Sequence, residues 1–250
     1  MHTKKEKQLK EAKGGNWMSA IVSKGQQAKE NANKKDRINL KDVLVKLKEG
    51  QSHKVRVLSA EDYVEYMSAG DFNIGIYTQA ITPDSPLLVA NAKGGEKFKN
   101  LYKKNRFCFV FASLETGGLV ALQVSKNQAQ TIISNIEDYK ESLGTFAFNI
   151  KRTGSDTSTV YSLNPIIQMK PEEKATFDKF NDVVVTDEFY EQVLEPKDDV
   201  FLAKLLKEAG FDTDTHLPHI IIPEDEGTEP DTSAEEIGDQ GSDEDLLGQI

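Results

Sequence analysis

KKNRFCFVF, residues 103–111, has the pattern on which the prediction of the fold depends. Phe107, Phe109 and Phe111 alternate with other residues, which is the period-two pattern of a strand with one buried face. The sequence LETGG (114–118) interrupts this run, and LVALQV (119–124) follows. Two short apolar runs separated by a glycine turn predict a β-hairpin.

A helix and a second hairpin are predicted to follow this first hairpin. Ser125 is a suitable N-cap, and apolar residues recur at helical spacing from Ala129 to Leu143. FAFNIKR (146–152) and TVYSL (159–163) then have the composition of two strands joined by a turn. This order predicts a mainly β fold with α additions, an OB-type Greek-key barrel with flanking helices and disordered termini. A ferredoxin-like or plain α+β sheet would give a similar order.

Length and composition predict one main domain with extensions. The chain has 250 residues, of which 38% are hydrophobic, enough for one substantial core. The single cysteine, Cys108, excludes an intrachain disulfide and a multi-cysteine zinc site, and it fits a reducing cytosol. The N-terminus has no apolar signal segment, and no apolar run approaches the roughly 18 residues of a membrane span. We therefore expect a soluble cytoplasmic protein that contacts no membrane.

Charge is distributed unevenly along the chain. The formal net charge is −10, but residues 223–250 contain eleven Asp or Glu and no Lys or Arg, so residues 1–222 sum to +1. Residues 1–57 contain 15 Lys or Arg against 6 Asp or Glu, a surplus of nine. Such opposite ends indicate an electrostatic partner, and an acidic end that competes with that partner.

Four segments are expected from these patterns. They are a basic mobile N-terminal arm (1–36), an OB-fold core (37–170), a helical extension packed on the core (171–222) and an acidic disordered tail (223–250). Within the core, residues 38–50 predict a short amphipathic helix, 53–81 predict two or three strands, and 82–100 form a long insertion between strands. The extension has the pattern of a helix, a break and a helix, and its acidic character argues against phosphate contact.

Cations and aromatic residues occur together between residues 97 and 106. Backbone phosphates need distributed cations, and unpaired bases need aromatic rings for stacking. A solvated lysine face is the alternative interpretation, and aromatic residues in strands most often serve packing. The candidate phosphate contacts are Lys54, Arg56, Lys97, Lys99, Lys103, Lys104, Arg106, Lys151 and Arg152, and the candidates for base stacking are Tyr63, Tyr66, Tyr77 and Tyr102.

The acidic tail ends in an apolar tip, a pattern typical of a docking peptide. Charge would steer such a tail, and the apolar tip would fill a pocket on a partner protein. A tail that only aids solubility is the alternative. The candidate partner-binding residues are Asp243, Glu244, Asp245, Leu246, Leu247 and Ile250.

Signatures of an enzyme are missing from the sequence. The four histidines are scattered, and Pro218 separates His216 from His219, so they do not form a helical ligand pair. The sequence contains no GxxxxGK[ST], GxSxG or HExxH motif, and no GxGxxG after a strand. We therefore expect a non-enzymatic protein without a metal or another cofactor.

Residues 37–170 resemble the single-stranded DNA-binding core of the T-even-phage helix-destabilising proteins and of related replication proteins in phages of Gram-positive hosts. The matching sequences are VRVLS (55–59), KNRFCFVFASLETGGLVALQVSKNQAQTII (104–133) and FNIKRTGSDTSTVYSL (148–163). The resemblance implies a sequence-independent single-stranded DNA-binding protein that acts in phage DNA replication, recombination and repair. It also implies self-association through the basic arm, and recruitment of replication or recombination proteins by the acidic tail.

The resemblance does not extend to zinc. T-even members hold a structural zinc through His and Cys ligands, and Cys108 alone cannot supply such a site. Two other classes of function stay open from the sequence. They are a phage structural or assembly protein whose charged ends serve self-association, and a metal-dependent nuclease with a diffuse acidic site.

Overall fold

The computed structural model describes residues 38–223. The predicted basic arm over 1–36 lies outside the described residues. So do the tail beyond Pro223 and all six candidate partner-binding residues between 243 and 250. The described residues therefore cover the predicted core, from residue 38, and the predicted helical extension.

Seven strands form one antiparallel sheet. Hydrogen-bonded neighbours follow the order β3-β2-β4-β1-β6-β7. Outside this order, β5 also pairs with β4. Among the seven strands within residues 38–223, β5 pairs with no strand other than β4 and β7 with none other than β6, so the sheet is open and the predicted closed barrel is not confirmed. The strands are β1 (Ser52–Arg56), β2 (Tyr63–Asp71), β3 (Ile76–Ala80), β4 (Lys104–Ser113), β5 (Leu119–Ser125), β6 (Ala147–Thr153) and β7 (Val160–Ile166).

Seven α-helices accompany the sheet within the described range. The strand, strand, helix, strand, strand order predicted for the central stretch is confirmed, since α3 lies between the β4–β5 and β6–β7 hairpins. The helices are α1 (Leu40–Val43), α2 (Pro86–Lys93), α3 (Lys126–Asp138), α4 (Pro171–Asp178), α5 (Asp187–Leu194), α6 (Asp199–Glu208) and α7 (Thr213–His216).

The main core lies between one face of the sheet and α3. Phe109 and Phe111 of β4 stack with ring centroids 6.1 Å apart, and α3 contributes the buried Ile132 and Ile136. A capping box at Ser125 begins α3 as predicted, because its hydroxyl accepts from the backbone of the third helical residue. The alternating phenylalanines therefore face inward, as their spacing predicted.

The insertion over 82–100 is more ordered than the sequence pattern indicated. Ser85 caps α2, Pro86 occupies its first turn, and Leu87 is fully buried. Together with Leu202 and Leu206 of α6, Leu87 belongs to a second apolar cluster beneath β2 and β3. The extension therefore packs directly on the core, and it contains four helices where the pattern predicted two.

The amphipathic helix predicted over residues 38–50 is limited to α1. After Val43 the chain is extended, Leu44 forms a parallel bridge with Ala121, and the Val45 N–H donates to the Ala121 carbonyl at 2.9 Å. These contacts cover part of the outer edge of β5. Tertiary pairing with the sheet therefore overrides the local helical pattern.

The second face of the sheet is covered by the extension and by α1. Cys108, Val110 and Ala121 lie on this face and pack against Tyr190 and Val193 of α5. Burial raises the pKa of the Cys108 thiol to about 12, so this thiol has almost no nucleophilic thiolate at neutral pH. Cys108 therefore serves as a small core residue.

Candidate nucleic-acid interface

The segment before β4 displays a cluster of cations on a well-anchored backbone. Phe98 and Leu101 are buried, and the Asn91 side-chain amide donates to the carbonyl of Lys99 at 2.8 Å. Because these anchors point inward, Lys99 and Lys103 stay exposed on the outside. Residues 93–106 contain six Lys or Arg and one Glu, a net charge of +5. This is the strongest local concentration of positive charge among the candidate contacts.

An exposed aromatic ring lies within this cluster. The ring of Tyr102 is 41% exposed, and the ammonium of Lys104 lies 4.9 Å from its centroid. A cation over a ring at this distance is attracted by the quadrupole of the ring. Lys99, Tyr102, Lys103 and Lys104 are together called the basic–aromatic surface below. It provides both groups that an unpaired polynucleotide requires.

Tyr66 and Arg106 continue the same face of the sheet inward. They lie opposite each other in the β2–β4 register, two residues on from the Ser68–Lys104 pair, and side chains two residues apart share a face. Arg106 is only 8% exposed, and the Tyr66 hydroxyl donates to Gln123 Oε1 at 3.3 Å. Tyr66 and Arg106, both predicted as DNA contacts, therefore lie next to the basic–aromatic surface and support it.

The remaining predicted stacking residues, Tyr63 and Tyr77, lie on other parts of β2 and β3. Tyr63 packs on Phe109, with ring centroids 5.1 Å apart, on the core face of the sheet. Tyr77 lies near the turn between β2 and β3. Its ring makes an edge-to-face contact with the ring of Phe72, with centroids 5.5 Å apart. Phe72 is 68% exposed. Phe72 was not among the predicted stacking residues, and it lies in the turn itself.

The cations predicted on β1 both contact the extension, and Arg56 is buried beneath it. The Lys54 ammonium lies 2.5 Å from Glu173 of α4. Arg56 is 6% exposed, and it donates to the Phe177 carbonyl at 2.6 Å and to Asn181 Oδ1 at 2.9 Å. Its guanidinium carbon also lies 4.2 Å from the centroid of the Phe177 ring. Arg56 therefore holds α4 against the sheet and is left out of the proposed phosphate contacts.

The other predicted cations differ in exposure. Lys151 is exposed on β6, and Lys97 is exposed with its ammonium 5.7 Å from the Phe98 ring centroid. Arg152 instead donates to the Leu47 carbonyl at 2.8 Å and to Thr159 Oγ1 at 3.3 Å. Arg152 therefore joins the start of the core to the β6–β7 turn.

A serine, a histidine and a glutamate meet at the β4–β5 turn. His53 Nε2 lies 2.9 Å from Ser113 Oγ, and His53 Nδ1 lies 3.1 Å from Glu115 Oε2. Ser113 is fully buried, and its oxygen accepts from the backbone N–H groups of Glu115 and Thr116. A nucleophile must be reachable by its substrate. We therefore assign this cluster to anchoring the turn.

Residues 38–223 contain neither a metal-binding cluster nor a membrane-spanning helix. No group of three or more His, Cys, Asp or Glu side chains in this range could hold a metal ion. No helix in the same range combines the length and apolar character needed to cross a membrane.

Comparison with known proteins does not assign a family. No protein-family model matches the chain, and no curated protein sequence matches it. The functional interpretation therefore depends on the residues of the chain itself.

Proposed function

We propose that this protein binds single-stranded DNA without sequence preference through the basic–aromatic surface. The observation that supports this most is the position of the Lys104 ammonium 4.9 Å from the exposed ring of Tyr102, in a segment of net charge +5. Cations that follow a strand, combined with rings that accept any base, are the basis of sequence-independent binding. Lys99 and Lys103 neutralise phosphates in this proposal, and Tyr102 stacks on a base.

We further propose that β1 and β4–β7 form an OB-type fold in an open form. In support, β1 pairs with both β4 and β6 and so joins the two hairpins. The side chain of Asn135 in α3 accepts from the Leu163 N–H of β7 at 3.0 Å, so the helix contacts the strand left unpaired on that side. In an OB-fold, oligonucleotides bind to the face of two strands and to neighbouring loops. An experimental structure with a bound oligonucleotide would test this assignment.

The two charged ends of the chain have separate proposed roles. The tail over 223–250, with a charge of −11, competes weakly with DNA for the basic–aromatic surface. Once DNA displaces it, the tail recruits replication or recombination proteins through its apolar tip. The basic arm over 1–36 contributes to self-association. These roles fit a protein of phage DNA replication, recombination and repair in the host cytoplasm.

Gel-shift titration of poly(dT) and of duplex DNA at two salt concentrations tests the proposed function. We expect tight binding to poly(dT), weaker binding to the duplex, and affinity that falls steeply as salt rises. Equal or absent binding to both would contradict the proposal and favour a structural or assembly protein. Degradation of labelled DNA with magnesium or manganese would instead indicate a nuclease.

A further inference from the structure

The turn between β2 and β3 displays a pair of aromatic rings. Phe72 is 68% exposed, and its ring contacts that of Tyr77 at 5.5 Å with an interplanar angle of 65°. An edge-to-face contact orients a ring and still leaves much of its surface open. The exposure of Phe72 shows that a large part of its ring is accessible to another molecule.

The backbone beneath these rings is rigidly built. Gly75 adopts φ 77°, and its N–H donates to the Phe72 carbonyl at 3.0 Å to close the turn. Between the Ala69–Gln79 and Asp71–Ile76 pairs, one residue of β2, Gly70, faces two residues of β3. Such a bulge re-aims the side chains beside it. The ring pair is therefore pre-organised before any ligand arrives.

One buried carboxylate connects this turn to the basic–aromatic surface. Asp71 is 7% exposed. Its Oδ1 accepts from the backbone N–H of Asn73 at 3.0 Å, and its Oδ2 accepts from the side-chain amide of Asn100 at 3.1 Å. Phe72 follows Asp71 directly, and Tyr102 lies two residues after Asn100. The two exposed rings thus stand on segments that are fixed to each other.

We propose that Phe72, supported by Tyr77, is a second stacking platform for an unpaired base of the strand bound at the basic–aromatic surface. This inference rests on the proposed function and adds a residue to it. A flexible single strand can place one base on Tyr102 and another on Phe72, with the intervening phosphates near the lysines. Stacking needs no hydrogen bonds to base edges, so this second platform keeps the site independent of sequence.

Stacking and charge contacts differ in how salt affects them. A lost stacking partner weakens binding at every salt concentration, whereas a lost phosphate contact also reduces the slope of log K against log[salt]. We expect Phe72→Ala to weaken poly(dT) binding about 5- to 160-fold with an unchanged slope. Phe72→Trp should keep the wild-type affinity for poly(dT). Phe72→Leu should lose affinity as Phe72→Ala does, because leucine is apolar but has no aromatic face. Ile167→Ala is the matched control, since Ile167 is an apolar residue with 73% exposure on a different segment.

A fluorescence experiment provides a direct readout. Trp17 is the only tryptophan, so Trp17→Phe combined with Phe72→Trp places a single reporter at the turn. We expect poly(dT) to quench its emission in proportion to the strand bound. Three results would each overturn the stacking role alone, provided that the wild type binds poly(dT). They are unchanged affinity of Phe72→Ala, wild-type affinity of Phe72→Leu, and a reporter whose emission poly(dT) does not quench. Absence of wild-type binding would instead overturn the proposed function, and the stacking role with it.

Discussion

The ammonium of Lys54 lies 2.5 Å from Oε1 of Glu173 and joins β1 to α4. The hydrogen bond and the charge of Glu173 raise the pKa of Lys54 above its ordinary value of 10.5. The hydrogen bond from Lys54 is the main cause that lowers the pKa of Glu173 below its ordinary 4.5. Each group thus favours the charged form of the other.

Stability should depend on pH through this pair. Because the pKa of Glu173 is lowered on folding, its stabilisation is present above pH 4.5 and is lost as pH falls through the folded-state pKa. The stabilisation from Lys54 is present below pH 10.5 and is lost as pH rises through its folded-state pKa. We expect Glu173→Gln to be less stable than the wild type near neutral pH and to match it in acid. Urea denaturation near neutral pH and in acid measures the free energy of unfolding of both proteins, and Glu172→Gln is the exposed control on the same helix. A stability difference between Glu173→Gln and the wild type that persists in acid would contradict this prediction.

Arg56 should be needed for stability and not for DNA binding. Its Nη1 donates to the Phe177 carbonyl at 2.6 Å and to Asn181 Oδ1 at 2.9 Å, and its guanidinium carbon lies 4.2 Å from the Phe177 ring centroid. A lysine has an ammonium that donates but no planar guanidinium to stack on this ring. We expect Arg56→Lys to lower the free energy of unfolding by about 1–3 kcal/mol. The salt slope of poly(dT) binding should stay that of the wild type under native conditions. A reduced slope would return Arg56 to the phosphate contacts.

Gly70 permits the close approach of β2 and β3. A Cβ at this position would lie 2.5 Å from Thr78 Cα and 2.6 Å from Thr78 N, and backbone atoms cannot move aside cheaply. We expect Gly70→Ala to destabilise the fold by about 1–3 kcal/mol or more. Gly144→Ala is the control, because a Cβ there meets nothing within 4 Å, and it should be neutral or slightly stabilising. Thermal unfolding measures the melting temperatures of both variants. Equal melting temperatures would be inconsistent with the described bulge.

Much of the fold followed from local sequence patterns. The alternation of Phe107, Phe109 and Phe111 and the cap at Ser125 depend on neighbouring residues only, and both are found as predicted. Basic residues within strands were harder to interpret. Arg56 has the same alternating pattern as a solvated cation, but a helix more than 100 residues later covers it. Local periodicity cannot show which side chains a distant segment will bury.

The candidate site was predictable to a similar extent. The run of lysines between residues 97 and 104 was visible in the sequence, but the inward positions of Phe98 and Leu101, which leave Lys97, Lys99 and Lys103 exposed, appear only in the structure. Contact of these lysines with DNA is still a prediction. Phe72 was not among the predicted stacking residues, all of which are tyrosines. Its position in DFNIG (71–75), between an aspartate and a glycine, is a sequence signal of a turn that could have identified it as exposed.

Removal of the acidic tail should tighten DNA binding. Residues 223–250 carry a charge of −11 and compete for the basic–aromatic surface in the proposed mechanism. We expect a chain that ends at Ile222 to bind poly(dT) more tightly, with less dependence on magnesium, because magnesium screens the tail in the full chain. Fluorescence titration with and without magnesium measures both effects. Unchanged affinity would count against competition by the tail.

The salt dependence of oligo(dT) binding tests the basic–aromatic surface most directly. The comparison is between the full chain, a Lys99→Ala/Lys103→Ala variant, and a Lys140→Ala/Lys179→Ala control that removes two exposed cations elsewhere. For two lost phosphate contacts on a single strand, the slope of log K against log[salt] should become shallower by about 1.4 in the first variant, and it should not change in the control. Identical slopes in all three proteins, or no binding by the full chain, would contradict the proposal that this surface binds single-stranded DNA.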